Sequence, residues 1–251
     1  MKSTLVVVLF ICLGLQQGGC SATKTAEQYY NLGLMKQQKG DLAEAIADYR
    51  TVLRLNPGHV SAHNNLGSVL LDKGELEEAM IEFRTALRLN PDHLNAHNNM
   101  GKVLVLKGDL EGAIAEFRAA LRLNPDALLA HYNLGKALHE KGDLAEAITE
   151  FRTALRLAPN DVDAQNNLGS VLFDKGETEQ AIAEYHTALR LAPNYAPAHY
   201  NLGKALKKKG DFVLARKEFE EALRLIPQTS ENQTRIKTIQ SHLHDLGRLH
   251  P

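Results

Sequence analysis

Cysteine is nearly missing from this chain: there are two, Cys12 and Cys20, both near the N-terminus. The remainder has no disulfide framework in any compartment, so its stability rests on packing alone. Neither sign of charge is in excess, because 29 basic and 30 acidic side chains leave a formal net charge of −1. A nucleic-acid partner usually calls for a basic stripe, and none is expected here. No phosphate-cradling glycine loop, nucleophile elbow or pair of acids outside a regular frame occurs. The expectation is a protein without enzymatic activity, cofactor or small-molecule substrate.

What the chain does have is a period. Asn-Leu-Gly, or Asn-Met-Gly once, recurs every 34 residues at Asn31, Asn65, Asn99, Asn133, Asn167 and Asn201. A strict period of this length marks stacked supersecondary units rather than a globule. Six units are predicted, at residues 26–59, 60–93, 94–127, 128–161, 162–195 and 196–229. Function belongs on the surface of such an array, not in a buried pocket.

The segment before the units is different in kind. Lys2 precedes an apolar run of eleven, Leu5 to Leu15, which is too short to span a bilayer and suits an export signal over residues 1–20. Gly18-Gly19-Cys20 resembles a bacterial lipobox, departing from it at Gln17; the alternative is an ordinary cleavage site with an incidental cysteine. Lipidation at Cys20 would leave only a short linker, residues 21–25, between a membrane and the first unit. The expected location is the bacterial cell envelope.

Within each unit the apolar residues fall at helical spacing, in two stripes. In the second unit these are Leu66, Val69 and Leu70, then Ala79, Phe83, Ala86 and Leu87. The break between them reads Lys-Gly-Asp or Lys-Gly-Glu, as at Lys73-Gly74-Glu75 and Lys141-Gly142-Asp143. Lysine suits a helix C-terminus, glycine closes it, and the acid is expected to cap the next helix. Asp41 with Glu44, and Asp143 with Glu146, resemble capping boxes. Prolines at 57, 91, 125, 159, 193 and 227 end the second helices. Small residues such as Gly67 and Ala79 mark close helix approach, and an aromatic ring, Tyr49 in the first unit and Phe83 in the second, is expected to fill the gap between units. After Pro227, Ile236, Ile239, Leu243 and Leu246 form a last stripe, predicted as a capping helix over 230–246 with Ser230 and Gln233 at its start.

Leu-Gly, then Ala, an aromatic, Ala and Pro at fixed offsets resembles the tetratricopeptide repeat family across residues 26–229. The resemblance implies an all-α fold: a right-handed α-solenoid whose first helices line a concave groove. The aromatic usual near the start of the first helix is replaced by Tyr29, His63, His97, His131, Gln165 and His199. The six asparagines resemble those lining the groove of the O-linked N-acetylglucosamine transferase repeats, where such amides grip an extended chain. Peptide-binding residues are therefore expected at Asn31, Asn65, Asn99, Asn133, Asn167 and Asn201, with apolar contacts from Val105 and Phe173. The alternative for the asparagines is bonding between neighbouring helices.

The same geometry places Leu71 and His139 in the groove and Leu94 and Leu128 near its edge. Lys136, Lys204, Lys207 and Lys208 flank it, which fits a ligand with apolar anchors and an acidic end. His59 with His63, and His93 with His97, stand four apart but lack further ligands, so capping is preferred and no metal is expected. Arg54, Arg88, Arg122, Arg156, Arg190 and Arg224, with Asp48, Glu82 and Glu116, read as a solvated convex face.

The chain is thus expected to be a protein-binding adaptor, similar to bacterial tetratricopeptide lipoproteins that assemble pili or scaffold envelope enzymes. Two alternatives are a recruiting subunit for a separate enzyme such as a glycosyltransferase, and a self-assembling solenoid.

Overall fold

A computed structural model describes residues 24–249. The expected export signal and Cys20 lie outside the described residues. Among these residues the chain is helical, without strands. The helices come as hairpins: α1 (Ala26–Lys39) with α2 (Leu42–Leu55), α3 (Val60–Asp72) with α4 (Leu76–Leu89), and α5 (Leu94–Leu106) with α6 (Leu110–Leu123). Next come α7 (Leu128–Lys141) with α8 (Leu144–Leu157), α9 (Val162–Asp174) with α10 (Thr178–Leu191), and α11 (Ala196–Lys209) with α12 (Phe212–Leu225). A 3-10 turn at Ser230–Asn232 leads into α13 (Gln233–Leu249).

The turn inside each hairpin is closed by glycine in the left-handed region, as at Gly142 with φ +95°. The acid that follows does not cap as expected. Asp41 and Asp143 make no side-chain cap bond. Asp143 reaches back to Lys141, Glu44 pairs with Lys36, and Glu146 is taken by Arg118 of the preceding hairpin. Asp109 alone of these acids caps its helix, accepting from the Gly112 N–H at 2.9 Å. A methyl group at Gly112 would crowd that carboxylate as it stands, although Asp161 makes the same cap bond onto Ala164 at 2.9 Å. A reciprocal capping box forms instead at Thr25 and Gln28.

The aromatic ring of each second helix packs against the first helix of its own unit, and in the sixth unit Phe219 also stacks on His242 of the next element. A methyl group on Gly67 would lie 2.7 Å from Phe83 Cε1, and one on Gly101 would lie 2.5 Å from Phe117 Cε1. The glycine is the slot that the ring of its own hairpin occupies. Tyr49, Phe83, Phe117, Phe151, Tyr185 and Phe219 are all almost fully buried in this way.

Curvature follows from which helices meet across units. Neighbouring first helices approach one another directly (α3 and α5, α5 and α7, α7 and α9, α9 and α11), whereas second helices do not pack to a comparable extent. The first helices therefore form the inner, concave layer. At the C-terminal end α13 packs chiefly along α12, burying Ile236, Ile239 and Leu246. Its start differs from expectation: Ser230 lies in the 3-10 turn, and the Asn232 side chain holds that turn by donating to the Pro227 carbonyl at 3.0 Å.

Candidate binding groove

The asparagine row does sit on the inner layer, and each member from the second unit onward reaches back one unit. Asn65 donates to the Tyr30 hydroxyl at 3.0 Å, Asn99 to Asn64 Oδ1 at 3.2 Å, and Asn133 to Asn98 Oδ1 at 3.0 Å. Asn167 donates to the Tyr132 hydroxyl at 2.9 Å and Asn201 to Asn166 Oδ1 at 3.0 Å. The acceptor is always the residue just before the previous unit's asparagine, and it is always Tyr or Asn. Bonding between neighbouring helices is the alternative weighed for these asparagines; its rule, an oxygen acceptor preceding every Asn-Leu-Gly or Asn-Met-Gly, is legible in the sequence. Asn31 has no preceding unit and is exposed.

One N–H of each of these amides is thus committed to the fold. In Asn99, Asn133 and Asn167 the carbonyl oxygen and the second N–H have no partner among the described residues. Each is half-buried rather than sealed. Asn201 uses its amide nitrogen twice, also reaching Ser170 Oγ at 3.3 Å, and keeps only its oxygen.

The apolar and cationic candidates divide. Phe173 is half-buried, with Lys208 Nζ 4.6 Å and Lys204 Nζ 5.2 Å from its ring centre. Val105 is half-buried against the core. Leu71, at 8% exposure, is packing rather than groove lining, and Leu94 and Leu128 are half-buried. Lys207 is unavailable to an acidic ligand because it bonds Asp245 of α13 at 3.2 Å. His139 is likewise engaged, by Asp174 of the next unit at 2.7 Å. Two side chains not anticipated are Leu106 and Leu129, 62% and 66% exposed. The signal was in the register: where Leu106 stands, the other units carry Gln38, Asp72, Glu140, Asp174 and Lys208.

The histidines turn out to fasten helices. His63 Nδ1 meets Glu82 Oε2 at 2.6 Å and its Nε2 meets the Pro57 carbonyl at 3.0 Å. His97, His131 and His199 repeat this with Glu116, Glu150 and Glu218. With Glu82 ionised, two pure acceptors are served only by a doubly protonated ring. Burial pulls the His63 pKa down, but the Glu82 and Pro57 bonds outweigh it and the net shift is upward. Glu82 and Glu116 therefore partner histidines and not the arginine series of the convex face. In the fifth unit Gln165 takes the histidine's place beside Glu184, and burial raises that carboxyl's pKa, outweighing the charge of nearby Arg152 and the Gln165 bond, which lower it. His59 and His93 act differently, each accepting from a backbone N–H at the start of its helix, at 3.2 and 3.1 Å.

Six stacked hairpins with a concave inner layer and a terminal covering helix define an all-α solenoid, and such arrays are protein-interaction scaffolds. The chain belongs to the tetratricopeptide repeat family: a family model described as "Tetratricopeptide repeat" matches residues 30–93, 82–126 and 98–162. Further repeat models match residues 169–210 and 196–229. No curated protein matches the chain in sequence. Among solved structures, PilF of Pseudomonas aeruginosa is 23% identical with a TM-score of 0.72, covering 86% of this chain and 96% of that one. YrrB, described as a repeat protein with an unusual peptide-binding site, is 22% identical with a TM-score of 0.61, covering 77% and 97%. MamA from Desulfovibrio magneticus RS-1 is 22% identical with a TM-score of 0.62, covering 68% and 96%. Identities this low show a shared fold.

Proposed function

We propose that the chain is a non-enzymatic adaptor that holds an extended peptide segment of a partner protein along its concave layer. The observation that carries this reading is the unspent hydrogen-bonding capacity of Asn99, Asn133 and Asn167. A carbonyl and an N–H left at each of three successive units match the alternating donors and acceptors of an extended backbone. Exposed Leu106 and Leu129, with Phe173 beside Lys204 and Lys208, supply apolar and cationic contacts for its side chains. YrrB, with the same fold, is described as having a peptide-binding site, which is in keeping with this use of the groove. The residues preceding the units support export, with a lipid on Cys20 as anchor in the cell envelope.

The test is affinity capture from envelope extract with the chain and with its Asn99→Ala, Asn133→Ala double variant. Each substitution also removes one clip between units, worth about 0.5–1.5 kcal/mol, so the thermal unfolding of both proteins is compared first. A partner held by the chain and lost by a still-folded variant is the expected result. Equal capture by both would reject the amide row as the binding element.

A further inference from the structure

The row of clips between units stops one step short of the end. By the 34-residue register the donor for the sixth unit's acceptor, Tyr200, should stand at position 235, and that residue is arginine. Tyr30 and Tyr132, the other tyrosines at this register, each receive an asparagine from the next unit. Tyr200 receives none, and its hydroxyl has no partner among the described residues. The Arg235 guanidinium likewise forms no ion pair or hydrogen bond among them.

Where the clip is missing, the structure opens. A cavity of about 410 Å³ lies between α11 and α13, within the range of roughly 300–1,000 Å³ usual for ligand pockets. Its polar lining includes Tyr200, Asn201 and Arg235, and its apolar lining Pro197, Ile226 and Ile239. No acidic side chain lines it. Lys204, one turn along α11 from Tyr200, adds positive charge and has no carboxylate partner. Burial raises the Tyr200 pKa, so the phenol stays a neutral donor. Pro197, Tyr200 and Asn201 occupy the same register positions as Leu129, Tyr132 and Asn133, so the cavity is the terminal segment of the concave layer.

We propose that this cavity receives the C-terminal residue of a peptide, its carboxylate on Arg235 and the Tyr200 hydroxyl and its apolar side chain against Pro197, Ile226 and Ile239. Asn201 completes the set, because its unpaired oxygen accepts the N–H of that last residue. A cation and a neutral donor with no acid nearby select a carboxylate over an amide. This rests on the peptide-binding reading of the groove and fixes where such a peptide ends.

The probe is N-acetyl-alanyl-leucine against its C-terminal amide, titrated into the isotope-labelled chain and followed by NMR. The free acid is expected to shift the signals of Tyr200, Asn201 and Arg235 and to bind about tenfold more tightly than the amide. Arg235→Asn, which places in α13 the residue the register calls for, should abolish that preference. Tyr200→Phe, which keeps the ring and removes only the hydroxyl, should weaken the acid several-fold. Equal affinity for acid and amide, shifts centred elsewhere, or none at millimolar concentration would overturn the proposal. The Asn99→Ala, Asn133→Ala variant should hold the acid as well as the unchanged chain does, because the probe is too short to reach the third unit. Partner capture that depends on Asn99 and Asn133 while this probe fails would leave the groove standing and remove the terminal site. Probe binding without such dependence would do the reverse.

Discussion

At the residue scale, a single missing carbon decides how tightly each hairpin closes. Gly101 leaves the slot that Phe117 fills, and a methyl group there would stand 2.5 Å from the ring. Gly135 is roomier, its added methyl lying 3.1 Å from Phe151. Alanine is the better helix former by about 1 kcal/mol, which works against the steric penalty in both cases. The clash wins at Gly101, so Gly101→Ala is expected to lower stability by about 1–3 kcal/mol, with Gly135→Ala within about 1 kcal/mol of the parent. Urea unfolding of the two variants checks the order. Equal losses would mean the ring yields as easily in one unit as in the other.

The element scale is where histidine and glutamate matter, since each pair ties a first helix to its own second helix and to the turn before it. The raised His63 pKa has a definite sign: its stabilisation is whole below the unfolded value near 6.5 and is lost as pH rises through the higher folded value. The fifth unit has the opposite problem. Glu184, raised by burial beside neutral Gln165, contributes stability only below its unfolded value of about 4.5, and its ionised form is a net cost at neutral pH. Gln165→His places there the histidine that the second, third, fourth and sixth units have, and Pro159 keeps the carbonyl at the matching position. The variant is expected to gain about 1 kcal/mol at pH 6 and to lose most of that gain by about pH 8. Denaturant midpoints at both pH values test this; a gain that does not depend on pH would show packing, not charge, at work. The helix pairs, the glycine turns and the proline stops were all legible in the sequence, because each is a local conformational preference. The Glu82 and Glu116 partners were misread because a bond between positions 19 apart is invisible until two helices are folded against each other.

At the scale of the molecule the array is nearly one-dimensional, each unit touching only its neighbours, so its ends are special. The last hairpin is covered by α13, with Ile236, Ile239 and Leu246 buried and His242 stacked on Phe219 at 4.9 Å. Removing residues 228–251 uncovers that surface. The shortened chain is expected to unfold at lower denaturant concentration and to self-associate, since an open solenoid end is complementary to another repeat face. Sedimentation at increasing concentration measures it. A truncated chain that stays monomeric with unchanged stability would show α13 to be dispensable as a cover.

The sequence by itself determined the period, the two helices in each unit, their boundaries and the interaction-scaffold class. These follow from helical spacing, turn chemistry and proline sterics, which act within a few residues. The tertiary structure decided what the polar side chains do. From the second unit onward the asparagine before Leu-Gly or Met-Gly spends one N–H on the unit before it, Lys207 is consumed by α13, and Leu71 disappears into packing. Tyr200 alone of the three tyrosines at its register is left without a donor, beside Arg235 and an open cavity. Such outcomes depend on distances between residues about 35 apart in the chain, set by how units stack and by where α13 departs from their register.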